Sequence, residues 1–361
     1  MASETATWQI CTMAAVYPDI HQKNCLNMHL SSTHESACTH CRDICPVHAI
    51  DINEQYLPRL DENRCTNCTA CVRMCPADAI IHEEINPVGI VRQAYELARR
   101  GKTSLHAACS AAANTSADLS VPCHAAWDPI LLACIAAEGI RTLHLNGIHQ
   151  CASCPVRYGT EIMIQTEKDY ALLNKALGIH LEISREETTI PIEQARRLIP
   201  EPKRRAFFRN LFPTMAQGAI KAVAQLNQAS NDEDNDTGAV RSTRPPLRLR
   251  LFLRALPHLQ VNFTPVPNIP SLPLGAIQVD ARCTACNECV EQCSTHALEL
   301  KEFGTNRVLE FRPDACIGCR QCVDICPEHA IEALPAISLP VLLTRRTRPL
   351  VMVASSKNIR K

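Results

Sequence analysis

Hydrophobic and polar positions along this chain follow two different rhythms. From residue 87 to about 183, short apolar runs alternate with longer amphipathic stretches. Asn86-Pro87 opens the first long stretch, with the asparagine side chain placed to cap and proline in the first turn, and Gly101 closes it. A strand is predicted over 103–108, and a second, shorter one ends at Val121. Asp128-Pro129 starts a helix to about residue 138, which Gly139 ends. A strand over 140–145, a helix over roughly 156–177 and a strand over 179–183 complete the series. Strands joined through helices in this way predict a small parallel α/β domain, assigned to 87–199.

On either side the elements are shorter. Residues 1–86 and 276–340 each read as two halves of the same order: a loop, a Cys-Pro or Cys-Ser turn, a short helix, then a strand. The fold class expected is therefore α+β, with two loop-rich modules flanking the α/β domain. Residues 200–228, beginning PKRRAFFRNLF, form a basic amphipathic segment. Its Arg204-Arg205 pair resembles an export signal, but no apolar stretch follows it, so it reads as a solvated face for docking. Residues 229–247 are polar and acidic and cannot offset their ordering entropy by burial, which predicts a flexible linker. A connector at 248–275 contains an amphipathic helix or strand near 249–259, and 341–361 reads as a tail.

Cysteine usage changes this picture most. Seventeen of the 22 cysteines stand in regular or paired spacings, and the run CTNCTACVRMCP from Cys65 recurs with unchanged intervals at Cys283 and Cys316. A cubane iron-sulfur cluster needs one thiolate for each of its four irons. Cys-x2-Cys-x2-Cys-x3-Cys-Pro wraps three ligands around one cluster and sends its fourth to a neighbour. In the 276–340 module this exchange pairs Cys283, Cys286 and Cys289 with Cys326, and Cys316, Cys319 and Cys322 with Cys293. Ser294 in place of proline affects the turn rather than ligation. A pair of zinc sites is the competing reading, but zinc ribbons do not use this layout.

The 1–86 module supplies Cys65, Cys68 and Cys71 with Cys45, a complete set. Its second set has Cys38, Cys41 and Cys75, but position 35, where a fourth cysteine is expected, is glutamate. Cys25 folding back from upstream is the expected fourth ligand, with Cys11 in reserve. Glu35 or another oxygen or imidazole ligand, and a three-iron cluster, are the alternatives. Four [4Fe-4S] clusters are expected in all.

In the α/β domain, Cys109 follows the first strand, Cys123 the second, and Cys151 and Cys154 the third. Carboxyl ends of parallel strands converge on one edge, where ligands bind. These four thiols are a candidate metal site, for a [2Fe-2S] cluster, a [4Fe-4S] cluster or zinc. Ordinary buried cysteines are the bland alternative, and Cys134, on the apolar side of its helix, is expected to be core.

Composition narrows the partners and the compartment. A formal charge of zero offers no basic surface for nucleic acid. Free thiolates at this density call for a reducing compartment, so a cytoplasmic protein is expected. No apolar run of about 18 residues predicts a membrane span, which leaves a peripheral membrane contact open, and MASETATWQI lacks the features of a secretory signal. With 11 glycines and no glycine-rich phosphate motif, nucleotide-driven chemistry is not expected. The Cys-x3-Cys-x2-Cys of radical chemistry on S-adenosylmethionine is also missing. No catalytic residue is assigned.

Residues 36–80 and 280–331 resemble bacterial-type two-cluster ferredoxin domains through their full ligand strings. The segment VPCHAAWDPILLACIAAEGIRTLHLNGIHQCASCPVRYG, with AACSA before it, more distantly resembles the small iron-sulfur subunit of hydrogenase and heterodisulfide reductase complexes. That family binds a two-iron cluster passing electrons between larger subunits, and the likeness falls on Cys123, Asp128, Pro129 and the Cys151/Cys154 loop. Ala-Ala-Trp after Cys123 and the narrow Cys-x2-Cys-Pro depart from it and leave the cluster type open. The resemblances imply a polyferredoxin-like subunit relaying single electrons to or from a redox protein or oxidoreductase subunit. A non-catalytic maturation, assembly or redox-sensing protein is the alternative.

Overall fold

Asn86 and Asp128 act as the caps their positions predict. The Asn86 Oδ1 accepts the Gly89 N–H at 3.0 Å at the start of a helix over Pro87–Arg99. The Asp128 Oδ1 accepts the Leu131 N–H at 2.9 Å at the start of a helix over Pro129–Ala137. The computed structural model describes residues 16–29, 37–112, 117–154, 156, 158–185 and 245–354. The basic segment at 200–228, nearly all of the 229–247 linker, Cys11 and Glu35 lie outside the described residues.

Strands Ser104–Cys109, Leu119–Val121, Thr142–Asn146 and Glu182–Ser184 form one four-stranded sheet in which every pairing is parallel. Ser104–Cys109 lies between the second and third strands, and Glu182–Ser184 is at the far edge. The last strand begins three residues later than the apolar pattern suggests. Gly178, at φ 61°, turns the chain out of the helix Gly159–Leu177, and pairing starts where the Glu182 N–H meets the Arg141 carbonyl at 2.8 Å. Pro129–Ala137 is apolar all round, as a helix enclosed on every side must be, and each residue from Pro129 to Ala136 is buried. One of its neighbours is the helix Leu247–Ala255, which settles the helix-or-strand ambiguity near residue 249.

The flanking modules are built from short paired strands and one-turn helices. Asp19–Ile20 pairs with Ile80–Ile81, and Ile50–Ile52 with Pro58–Leu60, all antiparallel. In the second module Ile277–Val279 pairs with Ile331–Ala333, and Leu298–Phe303 with Asn306–Phe311. The tail assigned to 341–361 is not a plain tail. Its strand Arg348–Ala354 adds to Asn306–Phe311, giving a three-stranded sheet. Arg-Pro and the lack of a strict period-two pattern hid that strand, which gains its stability from an edge already present.

One hydrophobic core joins the Pro129–Ala137 helix and the parallel sheet to Leu249, Phe252 and Leu256, and onward to Leu272, Leu274, Ile317 and Leu339. The parts are thus packed as one body. Leu132, at 0% exposure, sits in that core. Leu132→Ala is expected to cost about 2–5 kcal/mol, measured as a lowered urea midpoint under anaerobic conditions.

Candidate cluster sites

Each ligand loop is shaped by residues held in the left-handed region of backbone space. In the three full Cys-x2-Cys-x2-Cys runs the second and fourth residues after the first cysteine are Asn67 and Thr69, Ala285 and Asn287, and Gly318 and Arg320. All six have φ between 54° and 83°. Most are not glycine, and each such residue costs on the order of 1 kcal/mol or more, so the loop must compensate for them. Gly318 has a further reason: a Cβ there would lie 2.7 Å from the Leu274 carbonyl oxygen.

A second regularity follows the last cysteine of every run. His48, Asp78, His296 and His329 have φ between 47° and 51°. That turn aims the next N–H back at sulfur: Ala49, Ala79, Ala297 and Ala330 donate to Cys45, Cys75, Cys293 and Cys326 at 3.2, 3.1, 3.2 and 3.3 Å. Hydrogen bonds of this kind favour the charged thiolate and help set cluster potential. Cys293 shares the geometry although serine follows it. The alanines are all buried, and their recurrence four residues after each cysteine is a signal that the cysteine intervals alone do not pick up.

The structure gathers the cysteines by the exchange pattern rather than by sequence. Cys283, Cys286, Cys289 and Cys326 line one solvent-open cavity of about 360 Å³, against Leu300, Leu309 and Ile331. Cys293, Cys316, Cys319 and Cys322 line another of about 480 Å³, beside Ala276 and Phe311. Burial pushes Cys289 up to about 12, and Cys286, Cys283 and Cys326 add to the rise. Burial also raises Cys316 to about 12, with Cys293 contributing.

In the first module, burial raises Cys71 well above the ordinary thiol value, with Cys68, Cys41, Cys65 and Cys45 adding charge repulsion. The second set contains the expected newcomer. Burial raises Cys41 to about 12, and the thiols contributing after it are Cys75, Cys38 and Cys25. Cys38 is raised to about 11, by burial first and then by Cys75 and Cys25 among its neighbours.

Asn27 accounts for the position of Cys25. Its side chain is buried, donates to the carbonyls of Cys38 at 2.9 Å and Tyr56 at 2.7 Å, and accepts the Cys38 N–H at 2.8 Å. An asparagine amide thereby clasps both backbone groups of Cys38 two residues after Cys25.

Arg248 anchors the same set from the far side. Burial opposes its charge, but Asp78 and Asp128 outweigh that and hold it above the ordinary arginine value. Its Nε donates to Asp78 at 2.8 Å, one terminal nitrogen lies 3.5 Å from Asp128, and the guanidinium also donates to the carbonyls of Arg73 and Cys75. Arg73, also buried, donates to Thr166 in the helix Gly159–Leu177.

At the carboxyl edge of the parallel sheet, Cys123 is pushed up to about 12 by burial, with Cys68, Cys109 and Cys151 as its charged neighbours. The chain leaves room between two of these sulfurs. A Cβ on Gly159 would stand 3.2 Å from the Sγ of both Cys123 and Cys151, so those sulfurs lie no further apart than twice that distance. Gly147 approaches Cys109 in the same way, at 3.3 Å. Cys154 ends the 3-10 turn Ile148–Ser153 and is half-buried. Cys134 is core, as expected, at 2% exposure. Among the described residues no three Cys, His, Asp or Glu side chains converge on a point that one metal ion could fill.

The 4Fe-4S dicluster domain family matches residues 36–79 and 282–330, the two modules just described. The ferredoxin of Methanothermococcus thermolithotrophicus is 36% identical over 47 residues, 13% of this chain and 78% of that protein. "Ferredoxin 7Fe" of Hydrogenibacillus schlegelii is 42% identical over 48 residues, 13% of this chain and 59% of that protein. One subunit of the Na(+)-translocating ferredoxin:NAD(+) oxidoreductase complex of Acetobacterium woodii is 47% identical over 36 residues, 10% of this chain and 11% of that protein. The chain thus spans only about a tenth of that relative. Through these two modules it belongs to the 4Fe-4S dicluster ferredoxins. Among the described residues no helix is long and apolar enough to cross a membrane.

Two outcomes follow for the Cys25 set. Asn27→Leu removes both bonds to the Cys38 backbone and is expected to lose that cluster's EPR signal while the signals of the second module persist. Arg248→Met removes a buried positive charge beside Cys75. It is expected to lower the midpoint potential of the adjacent cluster in a redox titration, and to cost about 3–5 kcal/mol of stability from the carboxylates left unpaired.

Proposed function

We propose that this chain is a polyferredoxin-like subunit that relays single electrons through four [4Fe-4S] clusters, with a fifth iron-sulfur site in the middle domain, to or from a partner oxidoreductase. The observation that carries the reading is the sorting of fifteen cysteines, with Cys25, into four sets of four, two of which line separate cavities. Each bound cluster supplies a site that takes up or gives back one electron.

The chain's own part is to hold four thiolates at each site, to shield them from water and to direct N–H donors at them. Burial, with neighbouring thiols adding to it, raises Cys41, Cys71, Cys289 and Cys316, so cluster assembly displaces protons from these sulfurs and links ligand formation to folding. Cys25 completes the set at Cys38, Cys41 and Cys75, which favours a four-iron site there over the three-iron alternative. Cys109, Cys123 and Cys151, with Cys154 beside them and Gly159 leaving space, support the fifth site as an iron-sulfur cluster rather than zinc. No nucleic-acid partner is proposed, in keeping with a net charge of zero. The kind of partner is suggested by the relative that is part of a Na(+)-translocating oxidoreductase complex.

Anaerobic iron and acid-labile sulfide analysis, paired with EPR of the dithionite-reduced protein, tests this reading. About 16 irons in four cubane signals are expected from the two modules, with further iron from the middle site. Cys25→Ser should remove one cubane signal, and Cys151→Ser the extra iron. Iron confined to the 276–340 module, or unchanged content in both variants, would contradict the reading.

A further inference from the structure

Shared apolar clusters bring the four cysteine sets and the middle site next to one another. Cys289 and Cys322 pack in one cluster, Cys41 and Cys71 in a second, Cys68 and Cys123 in a third, and Cys38 and Cys319 flank the same larger core. The link between Cys319 and Cys38 joins one ferredoxin module to the other, and geometry fixes it independently. Gln321, buried at 7% exposure, stands two residues after Cys319. Its Nε2 donates to the Leu26 carbonyl at 2.7 Å, and its Oε1 lies 3.9 Å from the Cys319 sulfur. Leu26 follows Cys25 directly, and Asn27 next to it clasps Cys38. Leu26 also belongs to the core that contains Ile317, and both Cys38 and Cys319 pack against that core.

A buried glutamine side chain with one end on the backbone beside Cys25 and the other beside the Cys319 sulfur bridges the two modules directly. Two carriers that only shared a chain would have no need of it. We propose that the two modules form one wire, that electrons cross between them at Cys38 and Cys319, and that Gln321 is the positioning residue of the crossing. This rests on the reading that the cysteine sets bind clusters. One electron leaves one set and enters the next, with no bond formed or broken and no proton moved, and an external low-potential one-electron reductant supplies it. The wire has distinct ends. Cys286, the one exposed cysteine among the described residues, lies at one end, and the middle site, whose Cys123 packs with Cys68, lies at the other.

The test uses the full chain, loaded anaerobically and reduced with dithionite, and reads magnetic interaction between clusters by EPR together with iron content. The unmodified chain should show an interaction across the module boundary, identified by its disappearance in Cys319→Ser while the interaction within the first module stays. In Gln321→Met, which keeps the side chain's length but loses both polar contacts, that boundary interaction should weaken or vanish at unchanged iron content. Full iron content without any boundary interaction in the unmodified chain overturns the wire and leaves cluster binding intact. Low iron content overturns cluster binding, and the wire with it. A boundary interaction unchanged in Gln321→Met removes Gln321 from its role.

Discussion

Four thiols cannot be crowded into a water-poor pocket as thiolates unless a cation shares the pocket with them. Everything in the two modules answers to that constraint. Burial and mutual repulsion drive the cysteine pKa values upward, to about 12 at Cys41, Cys289 and Cys316. The protein offsets part of this with the one donor it can place without filling space, the backbone N–H. The left-handed residues in each ligand loop, and the four alanine N–H groups aimed at Cys45, Cys75, Cys293 and Cys326, follow from that need. Irons supply the remaining positive charge, which makes folding and cluster assembly a single equilibrium.

The two modules meet this constraint while packing against one conventional core. The second is near-symmetric and complete by itself. The first has glutamate at position 35, where a cysteine is expected, and upstream chain reaches its Cys38 instead, held by Asn27 and packed through Leu26. It also borrows Arg248 from beyond the middle domain to lock the Cys75 turn, and that arginine's partner Asp128 is at the same time the cap of the buried helix. One carboxylate oxygen thus starts a helix while the other braces a ligand loop. Cluster positions and core packing are tied together at that residue.

What the chain revealed in advance was mostly what chemistry spaces regularly. Cysteine runs are short and local, so the grouping of Cys326 with Cys283, Cys286 and Cys289 in one cavity, and of Cys293 with Cys316, Cys319 and Cys322 in another, could be read from intervals alone. The caps at Asn86 and Asp128 are equally local and were legible for the same reason. Cys25 was identifiable as the thiol within reach, but the groups that deliver it were not. Asn27 contacts a residue eleven positions on, and Gln321 reaches Leu26 across 295 positions. Arg248 looked like one more basic residue in a connector, because its two aspartates lie 170 and 120 residues away. The strand Arg348–Ala354 was hidden because its register comes from a neighbour rather than from its own pattern.

The central claim is spatial: iron centres in one file through both modules, ending in the middle domain. Anomalous diffraction at the iron edge from an anaerobically grown crystal of the full chain tests it most directly. Five resolved iron centres are expected in the order set by Cys286, Cys319, Cys38, Cys68 and Cys123, with Cys25 bonded to iron in the third. Two separated pairs of centres with no iron beside Cys123, or Cys25 standing free of iron, would contradict it.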